Sequence, residues 1–312
     1  MRIGTRASAL ALAQAGTVAE LLGEDTQLVA VTTSGDRDRD RGGTPTPSGE
    51  QDTQEAQPTQ GAQDKERWVK ELELALLAGE IDLALHSAKD VPSVLPEGLE
   101  LAGAPRRADP LDALVGAASL AQLRDGARVG TSSLRRAAQL RAVREDLDVV
   151  AIHGNVDTRL RRLAAGELDA LVLAAAGLQR LGRGEEIGAL LGEFVPAAGQ
   201  GTLVLEARAG DEGAHAAARA ITDSATWDAL HAERALVAAL HASCNTPLGA
   251  YATIGDEGVV LRTFVGLPDG SAWLRDEAPP AASALEAGAL AGQRLLSAGA
   301  GELLRRAEEL AA

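Results

Sequence analysis

The chain has 312 residues, 46% of them hydrophobic, 24% charged and 2% aromatic, with a formal net charge of −15 and one cysteine. This is an ordinary balance for a globular protein with room for two or three cores, built from Ala, Leu and Val and lacking base-stacking platforms. The charge opposes non-specific attachment to phosphate backbones, no run of about 18 apolar residues predicts a membrane span, and a lone thiol makes neither an internal disulfide nor a thiolate metal cluster.

Residues 2–5 predict a strand, and Leu10, Ala13, Val18 and Leu21 a helical stripe, with Ser8 as N-cap between them. A second strand is expected at 27–33. From 37 to 63 the chain turns to Gly, Pro, Thr, Gln, Asp and Glu, the composition of a disordered loop. A helix follows from about 67 to 78, closed by Gly79, and then a strand at 81–85 that ends in His86-Ser87-Ala88-Lys89-Asp90.

Past Pro105 a second series of strand-to-helix units begins. Residues 128–130 lead into Thr131-Ser132-Ser133-Leu134-Arg135-Arg136, 149–152 into His153-Gly154-Asn155-Val156-Asp157-Thr158-Arg159, and 170–173 into a helix carrying Arg180. Pro196-Ala197-Ala198-Gly199-Gln200-Gly201 reads as a crossing between lobes, followed by a strand at 203–207. A helix capped by Asp223 or Ser224 then runs to about Leu240. The turn Ala242-Ser243-Cys244-Asn245-Thr246-Pro247, strands near 250–254 and 259–265, and two helices complete the chain. Alternation of this length implies an α/β fold with mostly parallel sheets and a small C-terminal α+β part.

The polar clusters fall just after strands, where open α/β sheets bind ligands, so Arg6, Ser8, Ser87, Lys89, Asp90, the 131–136 and 153–159 clusters and Arg180 are expected to line one cleft. Thr131 to Arg136 is the sharpest of them. Free N–H groups and three hydroxyls at a helix N-terminus favour an anion, and the dipole disfavours the two arginines there by a few tenths to about 1 kcal/mol each unless an anion binds. The alternative is a capped helix with incidental arginines. Asp157 is an adequate N-cap for the next helix, and Arg161 and Arg162 read as a solvated face. Lys89 and Asp90 in isolation read as an ion pair; in an arginine-lined cleft Asp90 becomes a group able to steady a cation or pass a proton. His86 reads equally as a packed histidine. Cys244 reads either as a buried inert thiol or, from its turn-forming neighbours, as a covalent site on a loop.

Together these motifs, with Arg2-Ile3-Gly4-Thr5-Arg6-Ala7-Ser8 and Trp68-Val69-Lys70-Glu71-Leu72-Glu73, resemble the porphobilinogen deaminases, or hydroxymethylbilane synthases, of tetrapyrrole biosynthesis. The resemblance spans nearly the whole chain apart from about 37–67. It implies two lobes similar to type II periplasmic binding proteins and a small C-terminal α+β domain. The expected boundaries are 1–104 with 199–221, then 105–198, then 222–312, with a disordered lid at 37–66. It also implies that a dipyrromethane cofactor is joined to Cys244 by a thioether, and that four porphobilinogen molecules are added to this primer with loss of ammonia before water releases hydroxymethylbilane.

By the same resemblance Asp90 is the catalytic aspartate, steadying pyrrole N–H groups and the azafulvenium cation. Lys89, Asp90, Ser132, Ser133, Arg135, Arg136 and Arg159 hold the cofactor with Cys244. Arg6, Ser8, Ser87, Arg180, His153, Gly154 and Gln200 bind substrate. His153 stands where the family usually has arginine, so one carboxylate contact is expected to weaken as pH rises. Trp68 takes the place of a phenylalanine that packs near the pyrroles, and Lys65 that of a lid lysine. No metal, nucleic acid or membrane is implied, and a cytoplasmic monomer is expected. A non-catalytic two-lobed receptor for small carboxylates is the alternative, and it needs neither Cys244 nor Asp90.

Overall fold

The computed structural model describes residues 1–31, 60–242 and 246–311, with residues 60–68 and 311 described by their backbone alone. Most of the stretch expected to be a lid therefore lies outside the described residues, as do Cys244 and the side chains of Lys65 and Trp68.

Among the described residues the chain forms three sheets. The first contains β1 (Arg2–Arg6), β2 (Gln27–Val31), β3 (Leu83–Ser87), β4 (Leu99–Gly103) and β10 (Leu203–Arg208), in the order β2-β1-β3-β10-β4. The second contains β5 (Asp112–Val115), β6 (Arg128–Gly130), β7 (Asp148–Val150), β8 (Ala170–Ala174) and β9 (Ile187–Leu190), in the order β7-β6-β8-β5-β9. Each has one strand running against the others, β10 in the first and β5 in the second. Both reversed strands directly follow a passage between lobes, so the chain enters each sheet from the cleft side and must run away from it. The remaining strands present their carboxyl ends to the cleft, which explains why polar clusters follow strands.

Strand β3 is buried on both faces, as a central strand of such a sheet must be. Leu83 and Leu85 join Ile3, Ala15, Val18, Leu205 and Ala218 on one side, where α1 (Ala9–Leu22) packs. Ala84 joins Leu72, Leu76 and Ile81 on the other, under α2 (Gln60–Leu77). Helix α2 begins at Gln60, about seven residues before the expected start, so 60–66 is helical where disorder was expected. The polar sequence there has good intrinsic helix formers such as Gln, Lys and Glu, and a composition argument for disorder does not see them.

Helices α3 (Leu134–Val143), α4 (Val156–Ala164) and α5 (Ala175–Arg180) follow β6, β7 and β8, and α6 (Glu212–Ala220) follows β10. The cap of α4 is Asn155, whose side chain accepts from Thr158 N, and Asp157 sits in the first turn. Strands β4, β5 and β9 were not expected. They are short, and β9 is a half-exposed edge.

The C-terminal unit is an antiparallel meander of β11 (Leu248–Gly255), β12 (Gly258–Gly266) and β13 (Trp273–Glu277), the last also not expected, backed by α7 (Ser224–Ala239), α8 (Ala284–Ser297) and α9 (Ala300–Ala311). Here the Ala- and Gly-rich composition has a direct use. A Cβ on Gly288 would lie 2.4 Å from Ala235 Cβ, so α7 and α8 touch almost backbone to backbone.

Candidate active site

Strand β6 delivers Thr131 to Ser133 to the cleft, and Ser133 caps α3 by accepting from Arg136 N. The first turn of α3 then sends Arg135 and Arg136 inward, where they are 3% and 7% exposed. Asp112 of β5, fully buried, meets them. Arg135 Nη1 is 2.6 Å from Oδ2 and Nη2 3.1 Å from Oδ1, and Arg136 Nε is 2.8 Å from Oδ1. Burial alone would raise the Asp112 pKa. The two guanidinium charges, with hydrogen bonds from Arg135 and Gln200, outweigh it and hold the carboxyl well below the ordinary range. Burial lowers the Arg136 pKa, Asp112 partly restores it, and Arg135 lowers it again. Two cations share one anion, so the cluster keeps a positive surplus.

Two further arginines add to it. Arg159 Nη2 donates to Ser132 Oγ at 3.1 Å and its Nε to Gly154 O at 3.0 Å. Arg180 Nη2 donates to Gly201 O at 2.7 Å. Both have pKa values lowered to about 10, Arg159 by burial and then by Arg136, Arg180 by burial. Among the described residues neither meets a carboxylate.

The opposite wall is the turn Ala88–Asp90 at the end of β3, which carries Lys89 and Asp90, both half-buried. Gly199 holds it close to the crossing segment. At φ 71° a side chain is disfavoured, and a Cβ would stand 2.9 Å from Ala88 Cβ and 3.0 Å from Lys89 N. Arg234 of α7 grips the far side of the turn through the carbonyls of Val91, Pro92 and Ser93. Beneath it His86 is buried with Nε2 2.9 Å from Glu206 Oε2, in agreement with a packed histidine.

The crossing segment connects the two walls. Gln200, one residue after Gly199, donates to Asp112 Oδ1 at 2.9 Å and receives longer contacts from Arg135 and Arg136. These contacts link Ser132, Arg135, Arg136, Arg159, Arg180 and Gln200 in one chain, and Gly199 brings the turn that carries Lys89 and Asp90 beside it. Ser8 serves as the N-cap of α1, accepting from Ala11 N. Arg6 and Ser87 close β1 and β3 at the cleft end of the sheet, and His153 is exposed on the turn before α4.

Ala242 and Thr246 are both buried, and Ala250 N donates to Pro196 O. The neighbouring Val195 O accepts from Arg135 Nη1. Glu233 of α7 ties the three parts together, pairing with Arg107 and accepting from Gly199 N and Ala252 N. Sequence reasoning missed Asp112, Glu206 and Glu233. The available signal was a carboxylate inside an apolar run, as in Leu111-Asp112-Ala113-Leu114-Val115.

The site has the chemistry of a carboxylate receptor. Arg135 Nε is buried without a hydrogen-bond partner among the described residues, an orphaned donor.

Comparison with known proteins gives this receptor a family. Residues 1–216 match the family model "Porphobilinogen deaminase, dipyromethane cofactor binding domain", and 227–297 match "Porphobilinogen deaminase, C-terminal domain". The chain belongs to the porphobilinogen deaminase family. A porphobilinogen deaminase of Roseiflexus sp. (strain RS-1) is 47% identical over 86% of each chain, and that of Deinococcus radiodurans 43% identical over 98% of each. Among solved structures, the methionine-binding protein MetQ covers 73% of this chain and 91% of its own at 13% identity and a TM-score of 0.43.

Porphobilinogen deaminase is a hydroxymethylbilane synthase. It is a transferase that joins four porphobilinogen molecules head to tail on a dipyrromethane cofactor, releasing ammonia and then hydroxymethylbilane. Each pyrrole carries two carboxylates, so a surplus of buried guanidinium charge and an orphaned buried donor fit both the cofactor and the growing chain. Among the described residues no helix is long and apolar enough to cross a membrane.

Proposed function

We propose that this porphobilinogen deaminase holds its primer on Cys244 and does its turnover chemistry with Asp90 and the cleft arginines. The observation that carries the reading is the pair Arg159 and Arg180, half-buried guanidinium groups partly drawn out of water whose bonded partners are neutral oxygens. When bound, the dipyrromethane supplies the pyrrole carbon to which the first substrate is joined. Arg135, Arg136 and Arg159, with Lys89, Ser132 and Ser133, neutralise and orient its acetate and propionate groups. Arg6, Arg180, His153, Gly154, Gln200, Ser8 and Ser87 do the same for incoming porphobilinogen. Asp90, on a turn braced by Gly199 and Arg234, steadies pyrrole N–H groups and the positive charge that develops as ammonia leaves.

The expected division of the chain, 1–104 with 199–221, 105–198 and 222–312, is supported by the three separate sheets. We further infer a cytoplasmic monomer; its single cysteine suits a reducing compartment, where a free thiol persists until it takes up the primer. The alternative of a non-catalytic anion receptor rests on likeness of fold alone.

The test is the denatured mass of the purified chain. A mass in excess of the polypeptide by two linked pyrrole units, lost in Cys244→Ser, is expected; active protein of bare polypeptide mass would refute the tether. Asp90→Asn should keep the added mass and lose elongation by about a hundredfold or more, measured as porphobilinogen consumption.

A further inference from the structure

We propose that Asp112 is a positioning residue of this reaction: its buried carboxylate keeps the Arg135 and Arg136 guanidinium groups side by side, and through Gln200 ties them to both segments that join the lobes. The inference rests on the functional reading above.

The bonding of Asp112 is complete. A carboxylate has about four acceptor positions, and this one receives Arg135 Nη1 and Nη2, Arg136 Nε and Gln200 Nε2. Asp112 is also fully buried, so it does not touch substrate and acts through the arginines. They are differently placed. Arg135 keeps one orphaned Nε, and the pair keeps a net positive charge. Without the carboxylate, two like charges would lie together in the interior with only Gln200 and the carbonyls of Val172 and Val195 to hold them. Such a pair separates or draws in water, and its side-by-side geometry is lost.

Gln200 extends the control to the segments that join the lobes. Its Nε2 also donates to Pro110 O in the outgoing segment, while Gln200 itself lies in the return segment and its carbonyl accepts from Arg107 Nε. A shift of either segment therefore moves the carboxylate and both guanidinium groups together.

Asp112→Asn and Asp112→Glu, expressed beside the wild type, test this on the folded fraction of each. Primer occupancy is read by denatured mass, and KM and kcat from porphobilinogen consumption by primed protein. Asp112→Asn should lose most of its primer, because a hydrogen-bonded charge pair of this kind is worth about tenfold or more in affinity. Asp112→Glu keeps the charge but displaces the arginines; it should stay primed and raise KM about tenfold or more, with a smaller change in kcat. A purely structural role would lower the melting temperature and leave occupancy and KM of the folded fraction unchanged. Folded Asp112→Asn that is fully primed, with wild-type KM and kcat, overturns the proposal. If that variant yields no folded protein, wild-type occupancy and KM in Asp112→Glu overturn it. A wild-type chain without primer would instead defeat the functional reading.

Discussion

Arg159 and Arg180 each carry a charge that folding draws partly out of water without providing an anion among the described residues. Their pKa values of about 10 lie below the ordinary arginine value, so between these limits the unfolded chain binds more protons than the folded one. Stability from these groups therefore rises with pH through that window, and at neutral pH their full cost is present. A bound carboxylate removes the cost, which is how a site stores affinity at the expense of the free protein. Arg159→Gln or Arg180→Gln in the primer-free Cys244→Ser background should raise the melting temperature by about 1–4 °C. In the otherwise native chain the same changes should raise KM for porphobilinogen about tenfold or more. Calorimetry and steady-state rates check the two halves separately. The cluster of arginines was legible in the sequence because they follow strands. Their inequality was not, because partner carboxylates such as Asp112 come from strands made elsewhere in the chain.

At the scale of elements, the turn Ala88–Asp90 is positioned by a contact between backbones. Gly199→Ala adds a methyl 2.9 Å from Ala88 Cβ at a backbone angle that favours glycine, which costs about 1–3 kcal/mol. The expected result is a lower urea midpoint together with a loss in kcat for the primed enzyme larger than any change in KM, because the displaced turn carries Asp90. Unchanged kcat in the folded variant would show that Gly199 braces the fold alone. The sequence marked Pro196 to Gly201 as a crossing between lobes, and the segment runs from β9 of one sheet to β10 of another. What the crossing touches follows from closure of the two sheets around it, and no local pattern reports that.

Across the whole molecule the charged groups set a pH profile. Asp112, Asp82 and Asp276 have lowered pKa values. For Asp112, burial is overcome by Arg135 and Arg136; for Asp82 and Asp276 the chief causes are hydrogen bonds from Arg2 and Arg294. A carboxyl whose folded pKa is depressed stabilises above its unfolded pKa, and this is lost as pH falls through the folded value. Glu73 is the opposite case, raised by burial and by Glu206, with His86 and Lys70 offsetting in part. Its contribution is present below the ordinary glutamate pKa and disappears as pH rises through the raised value. Unfolding free energy should therefore fall steeply below about pH 4. Glu73→Gln should gain stability at pH 7 relative to wild type and gain none at pH 4, measured by urea unfolding.

The sequence by itself determined the strand-to-helix order, the apolar character of the central strands, the cap at Ser8, and the motifs that identify the family. These are properties of period and local hydrogen bonding, which a short window contains. It could not determine that β5 and β10 run against their neighbours, that β4, β9 and β13 exist, or that Asp112 rather than solvent neutralises Arg135 and Arg136. Those outcomes depend on pairings between residues distant along the chain. Their energies exist only when burial has removed water and left each charge to the partners that the fold brings to it.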